Sequence, residues 1–338
     1  MKKIPVSKQQ GENMVSPLPT LLIVVVLSFA AMACDEEGGL AGGLFIETDA
    51  LEDGRVQMQY EQTLEVSDAA GEVVWTVVDG ALPDGLELSG DGVLSGLPER
   101  SGDYSFAVRA TDDAGEDEVD LELTVPPVLL MSGFEPFGGY ESNPSYDAIA
   151  GMDEEMIDGL DVRVIEIPVT WAGGWTTLLA EIERLNVDLV VATGVAGSDY
   201  MRLETRGRNI MEQTDNDDVT MNGEEIVEGG PDEVFDGLPV QEMADAMIAA
   251  GYPAQLSDDA GTYLCNHVLY NLMYYVENLA TRDIDAGFIH VPPVPTASFE
   301  LDDITAAHRV GIGVLASWYE SGEGAQTKMA TIHAAPVY

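Results

Sequence analysis

The chain has only two cysteines, Cys34 and Cys265. That is too few for the disulfide framework that staples small exported domains. Basic residues are also scarce: 14 Lys and Arg stand against 61 Asp and Glu, for a formal net charge of -47. A field of that sign repels nucleic acid and anionic lipid headgroups, so neither is expected as a partner, although the charge says nothing about the fold. Histidine is limited to His267, His290, His308 and His333. No His, Cys and carboxylate set has the spacing of a zinc site, and no metal or other cofactor is expected. The acidic run of Asp112, Asp113, Glu116, Asp117, Glu118 and Asp120 lacks EF-hand spacing and reads as a solvated loop, Ca²⁺ ligation by its oxygens being the alternative. What the chain does have is 338 residues, 46% of them hydrophobic, enough for two ordinary domains with packed cores.

The N-terminus differs in character from the rest. Lys2, Lys3 and Lys8 precede the apolar run LLIVVVLSFAAMA, which stops at Cys34. The run is short for a membrane-spanning helix and has the charge pattern of an export signal. Its ending, with Ala31 and Ala33 before the cysteine, resembles the lipobox of bacterial lipoproteins. That resemblance implies a signal peptide over residues 1–33, cleavage before Cys34, and acyl chains on the cysteine that hold an exported lipoprotein on a membrane face. A secretory signal with an incidental cysteine, or an uncleaved anchor, are the alternatives. With Cys34 lipidated, Cys265 has no partner. The acidic, glycine-rich residues 34–44 suit a flexible tether.

From residue 45 to 126, short apolar runs such as EVVWTVV, GDYSFAVRAT and VDLELTV are split by turn signals such as LPDG and GDG. This spacing predicts an all-β sandwich. Tyr104, Phe106, Val108 and Ala110 alternate along one strand face, and Trp75 is expected to anchor the same core. The stretch ALPDGLELSGDGVLSGLPERSGDYSFAVRATDDAG resembles the immunoglobulin-like repeats of bacterial surface proteins. Such repeats act mostly as spacers or adhesive modules, so the resemblance implies no chemistry here.

Pro126 and Pro127 mark a stiff joint, and residues 127–338 then alternate strand and helix. Strands are predicted at Val128–Ser132, Val162–Val169, Val187–Thr193 and Ala286–Val291. Helices are predicted near Thr176–Leu185, Val240–Ala250, His267–Leu279 and Ile304–Tyr319. VDLVVATG is the continuous apolar run of a strand buried on both faces, and Leu178, Leu179, Ile182 and Leu185 share one helical face. The fold expected is α/β, a three-layer α/β/α arrangement with a mostly parallel sheet.

Cys265 follows the turn-forming SDDAGT and precedes the amphipathic HVLYNLMYYVENL. A thiol at a helix N-terminus meets unpaired amides and the positive end of the dipole, which favour an anion there. A buried, inert cysteine is the alternative on that residue alone. The segment SDDAGTYLCN, however, resembles the nucleophile segment of the pyroglutamyl peptidase I family of cysteine peptidases. SGFEPFGGYESNPS and AGFIHVPPVP match two further family segments in the family's order.

The resemblance implies that Cys265 is the nucleophile and that His290, at the end of an apolar strand, is its base. It also implies that Glu204, in GVAGSDYMRLETRGRN, is the carboxylate steadying the imidazole, with Asp199 as the other candidate. Asn209 matches the asparagine that ends this motif. Phe134 and Phe137 would flank a five-membered lactam ring, Tyr263 and Leu264 would complete the wall, and Asn143 would fix the loop beside it.

The chain departs from the family in three places. The interval from Gly197 to Glu204 is one residue short, Thr205 stands at a usually basic position, and Gln213 and Thr214 occupy the place of an arginine. Arg202, Arg206 and Arg208 either take over that arginine's work or pair with acids. His267 is read as a half-exposed helix residue, and His308 and His333 as ordinary surface or helix residues. The expected activity is removal of N-terminal pyroglutamate from peptide substrates through an acyl-enzyme, the oligomeric state being left open. The alternative is a surface-anchored protein of weakened or no activity that binds a peptide.

Overall fold

The computed structural model describes residues 43–322. The export signal, Cys34 and His333 lie outside the described residues.

The all-β part is built of two three-stranded antiparallel sheets and a small ribbon, Phe45–Ile46 with Val66–Ser67. Tyr60–Thr63, Val93–Gly96 and Leu86–Leu88 make one sheet; Val74–Gly80, Gly102–Thr111 and Glu116–Val125 make the other. Alternation places Phe106, Val108 and Ala110 inward on Trp75, Leu94, Leu121 and Leu123, as a half-buried strand requires. Tyr104, near the start of its strand, leaves this set and packs on the core of the α/β part. Of the acidic run read as a loop, only Asp112 and Asp113 lie in a turn, closed by the Asp112 carboxylate accepting from the amides of Ala70, Ala114 and Gly115; Glu116, Asp117, Glu118 and Asp120 stand on the strand Glu116–Val125.

The second part is organised on one seven-stranded sheet. Its strands are β1 (Val128–Phe134), β2 (Met156–Ile157), β3 (Leu160–Ile167), β4 (Leu189–Val195), β5 (Met201–Glu204), β6 (Ala254–Ser257) and β7 (Asp285–Val291). The order across the sheet is β2-β3-β1-β4-β7-β5-β6, parallel except where β2 meets β3 and β5 meets β7. Five helices flank it: α1 (Pro144–Asp147), α2 (Gly174–Leu185), α3 (Val240–Ala249), α4 (Leu264–Asn278) and α5 (Leu301–Glu320). On one face α2 and α4 contribute Leu178, Ile182, Val268 and Leu272 to a core with Leu130, Val190 and Phe288. On the other, α3 and α5 contribute Met243, Met247, Ile304 and Leu315 to a core with Leu129, Met131 and Val191. The central strands therefore bury alternate residues on opposite faces, which explains their unbroken apolar sequence.

Four strands and four helices fall where the sequence predicts them, within a few residues. Strands β5 and β6, four residues each, were not predicted, because so short a segment carries too little periodicity. Glu204 is the last residue of β5.

The described residues cluster as one compact unit. Val56 and Val125 of the sandwich are fully buried in the same apolar core as Val128, Leu130, Leu185 and Val187. Asp161, at the start of β3, is wholly buried between Arg55 and Arg163, and Arg163 also donates to Val56 O. Ser101 donates to Asp188 and Asn186 to Glu99 O across the same seam. All these contacts lie at the amino ends of the parallel strands.

Candidate active site

Open α/β sheets leave a crevice at the carboxyl ends of their strands. Here β1, β4 and β7 deliver Phe134, Val195 and His290 into one pocket of about 330 Å³. Cys265 enters it from α4, whose first residue is Leu264. Tyr263 precedes the helix in extended backbone (φ -97°, ψ -162°), and no side chain caps it. The opening amides of this helix thus keep their hydrogen-bonding capacity at the point where the thiol projects. Leu264, Val268 and Leu272 bury the opposite face and fix the helix against the sheet. Asn266 braces it from the side, accepting from Arg208 N at 2.8 Å and donating to Arg208 O and Ile210 O. The sulfur lies so close to β4 that a Cβ on Gly194 would stand 2.7 Å from it; only glycine permits this approach.

Gly194 is the Cα partner of His290 on the neighbouring strand, so the thiol and the imidazole meet over adjacent strand ends. His290 Nδ1 is 2.7 Å from Glu204 Oε1. That contact leaves Nε2 as the nitrogen available to the thiol. Glu204 is wholly buried and His290 is 4% exposed. Burial by itself would push the imidazole down; the charge on Cys265, hydrogen bonding to its sulfur, and the bond and charge of Glu204 prevail, and His290 is pushed up to about 9. The imidazole is thereby favoured in its charged form between the Glu204 carboxylate and the sulfur. The edge of Phe288 packs on the ring, with centroids 4.9 Å apart.

The residues expected to recognise a ring all line this pocket: Phe134, Phe137, Tyr263, Leu264 and Asn143. Phe134 and Leu264 also belong to the core beneath it. Asn143 is buried and holds the loop, accepting from Ser145 N and donating to Glu135 O at 2.9 Å. Tyr263 is fixed at both ends, its hydroxyl donating to Thr214 O and its ring standing edge-on to Trp171. Asp215 accepts from Trp171 N, and Asn216 donates to Pro136 O, so the Asp-Asn pair shapes the loop that carries Phe137. Asn209, the asparagine ending the Glu204 motif, brackets Val227 through both its N–H and its C=O.

Asp199 stands apart from the imidazole. Its carboxylate accepts from Thr296, Ser298 N and Ser298 Oγ, tying down the segment after β7. His267 is buried rather than half-exposed: at 7% exposure it packs edge-on against Trp171, and burial pushes it down to about 4. The amphipathic pattern hid this, because the hairpin Met211–Thr214/Thr220–Glu224 and Trp171 cover that face of the helix. His308 is likewise buried in α5 and pushed down to about 4 by burial. All three arginines pair with acids: Arg206 with Glu233 and Asp258, Arg208 with Asp259, and Arg202 with Glu204. Of the three, Arg202 also lines the pocket. Gly194 is the contact sequence reasoning missed; its only signal was a glycine ending an otherwise apolar strand.

A buried acid, an imidazole and a thiol at a helix start can activate sulfur as a nucleophile and move its proton. Known proteins agree with this architecture. Residues 128–310 match the pyroglutamyl peptidase family and residues 47–126 match an Ig domain family. The pyrrolidone-carboxylate peptidase of Thermococcus onnurineus is 36% identical over 192 residues, which are 54% of this chain and 95% of that protein. The enzyme of that name from Clostridium perfringens is 37% identical over 174 residues, 50% of this chain and 79% of that one. Among solved structures, pyroglutamyl peptidase I of Bacillus amyloliquefaciens superposes with a TM-score of 0.54 at 28% identity, covering 56% of this chain and 97% of that one. Pyrrolidone carboxyl peptidase of Thermococcus litoralis gives 0.56 at 27% identity, covering 59% and 97%. With the family's match extending over more than half the chain and these relatives covered over 79% to 97% of their length, this chain belongs to the pyroglutamyl peptidase family of cysteine peptidases.

Proposed function

We propose that the protein removes pyroglutamate from the N-terminus of peptides, with Cys265, His290 and Glu204 as its catalytic residues. The observation that carries this reading is the pairing of His290 Nδ1 with the buried Glu204 carboxylate, 2.7 Å away, in the pocket that holds Cys265 and the two phenylalanines. The lactam ring of the substrate lies between Phe134 and Phe137. Its N–H and C=O must both find partners there, since an unpaired buried polar group costs about 1–3 kcal/mol.

The thiolate attacks the carbonyl carbon of the pyroglutamyl residue. Negative charge gathers on the carbonyl oxygen, and the uncapped amides opening α4 are placed to receive it. The imidazolium gives its proton to the leaving amine, the peptide departs one residue shorter, and a thioester remains on Cys265. Neutral His290 then takes a proton from water, whose oxygen attacks the thioester and releases pyroglutamate. Glu204 holds the ring with Nδ1 inward and steadies its charge throughout.

The full chain, reduced and incubated with a pyroglutamyl amide of a fluorescent amine, is expected to turn over. Cys265→Ala is expected to abolish the reaction. A folded chain that neither turns over nor reacts at Cys265 with iodoacetamide would favour the peptide-binding alternative. The N-terminal sequence supports a setting on the outer side of a membrane, with lipid on Cys34. Labelling of the wild-type chain by a fatty-acid probe, lost in Cys34→Ala, tests that placement.

A further inference from the structure

The sequence leaves Arg202 with two readings, a charge for the reaction or a partner for an acid. Its surroundings give it both. Arg202 lies on β5, two residues before Glu204, and is the Cα partner of His290 across the antiparallel pair. Its Nη2 donates to Ser257 Oγ at 2.7 Å and to Asp259 O at 2.6 Å. The same nitrogen stands 3.3 Å from Glu204 Oε1, the oxygen that faces His290. Glu204 Oε2 is buried without a hydrogen-bond partner among the described residues. All the pairing of this carboxylate is therefore concentrated on the oxygen shared by the arginine and the imidazole.

Ser257 and Asp259 belong to the segment that leads from β6 into the nucleophile helix. Without the guanidinium, that segment would lose two side-chain bonds to the strand that carries Glu204. We propose that Arg202 is the positioning residue of this site, fastening the Cys265 segment to the Glu204 strand and giving the Glu204 carboxylate its second, permanent cation. This rests on the catalytic assignment above and adds a residue to it.

The charge has a direction of effect. Around His290 stand Arg202 and Glu204 from β5, Cys265 and Tyr263 from the start of α4, and Asp259 from the segment before it. β4 contributes Gly194 opposite His290. α1 also packs on β7 and carries Tyr146 and the exposed Asp147. Arg202 is the nearby fixed cation in this set, so it opposes retention of the proton by His290 and reduces the pull of Glu204.

The test uses the full chain with its histidines labelled at Cε1, His290 being assigned through His290→Asn. Arg202→Gln keeps donors towards Ser257 and Asp259 but removes the charge; Arg202→Lys keeps the charge. In Arg202→Gln the His290 resonance is expected to titrate roughly half to one pH unit higher than in wild type. Its kcat for a pyroglutamyl amide should fall about 10- to 100-fold, with KM changed far less. Arg202→Lys should restore the wild-type titration. Arg202→Met, similar in length and uncharged, carries the same expectation should the glutamine variant not fold. An unmoved His290 titration in a folded, uncharged variant overturns the proposal, as does equal loss of kcat in the lysine and glutamine variants. Absence of turnover in the wild type would instead strike the proposed function, and the titration would still decide the role of Arg202.

Discussion

The two ends of the central sheet each bury a carboxylate beside an arginine, and they use it differently. At the amino ends, Asp161 has no exposed surface and both its oxygens are occupied: Oδ1 accepts from Arg55 and Arg163, Oδ2 from Arg163. Both cations are arginines, which do not lose their protons in the working pH range. The cluster joins the sandwich to β3 and has no state to change into. At the carboxyl ends, Glu204 is equally buried, but Oε2 is unpartnered and one of its two cations is an imidazole. A carboxylate closed on both oxygens by permanent charges holds structure together. One that shares a single oxygen with a titrating ring can take part in proton transfer.

The largest effects should come from the carboxyl end. His290→Ala is expected to lower kcat/KM by about 10²- to 10⁴-fold and, because it strips the buried Glu204 of its partner, to lower the melting temperature as well, as measured by turnover and calorimetry on one preparation. With His290 held up to about 9, the imidazolium is the prevailing form across neutral pH. The alkaline limb of kcat/KM should accordingly lie near pH 9 in a full pH profile. By linkage, this histidine's contribution to stability is complete below its unfolded value near 6.5 and is lost as pH rises through 9.

At the amino end the same kind of substitution should cost stability alone. Asp161→Ala leaves Arg163 buried without its partner, and removal of one member of such a pair costs about 3–5 kcal/mol. Denaturant unfolding should show that loss, with the pH profile of the folded enzyme unmoved. A smaller change sharpens the contrast further. Val56→Ala removes a fully buried side chain from the core shared by the sandwich and the sheet and should cost about 2 kcal/mol. Because the core is shared, one unfolding transition should shift as a whole; two separable transitions would show that the seam does not couple the parts.

The smallest expected effect concerns neither end. His308 is buried in α5 and pushed down to about 4 by burial. A histidine whose folded value is depressed binds its proton less readily than the unfolded chain does, so its cost appears as pH falls from about 6.5 towards 4. His308→Gln should flatten the acid loss of stability over that interval, and an unchanged slope would place the loss elsewhere.

Several parts of this molecule were legible because they are local. A continuous apolar run specifies a strand buried on both faces, as in β4, and an amphipathic run after a glycine turn specifies α4 with Cys265 at its start. His290 at the end of an apolar strand was readable in the same way. The three family segments imply the pairing of Cys265 with His290. Glu204 was placed by its motif alone. Its strand is four residues long and pairs with β7 in the opposite direction to the rest, and nothing in so short a stretch fixes that pairing.

What the sequence by itself determined is where Cys265, His290 and the loop bearing Phe134 and Phe137 sit on their own elements, because helix starts and strand ends are set by neighbours a few residues away. Only the tertiary structure decided which carboxylate faces the imidazole, that Arg202 shares its oxygen, that His267 is covered, and that the sandwich and the sheet close over a common core. Each of these depends on groups far apart along the chain, 86 residues between His290 and Glu204 and 106 between Arg55 and Asp161. Contacts of that span exist only once packing has chosen the register of strands whose own sequence leaves it open.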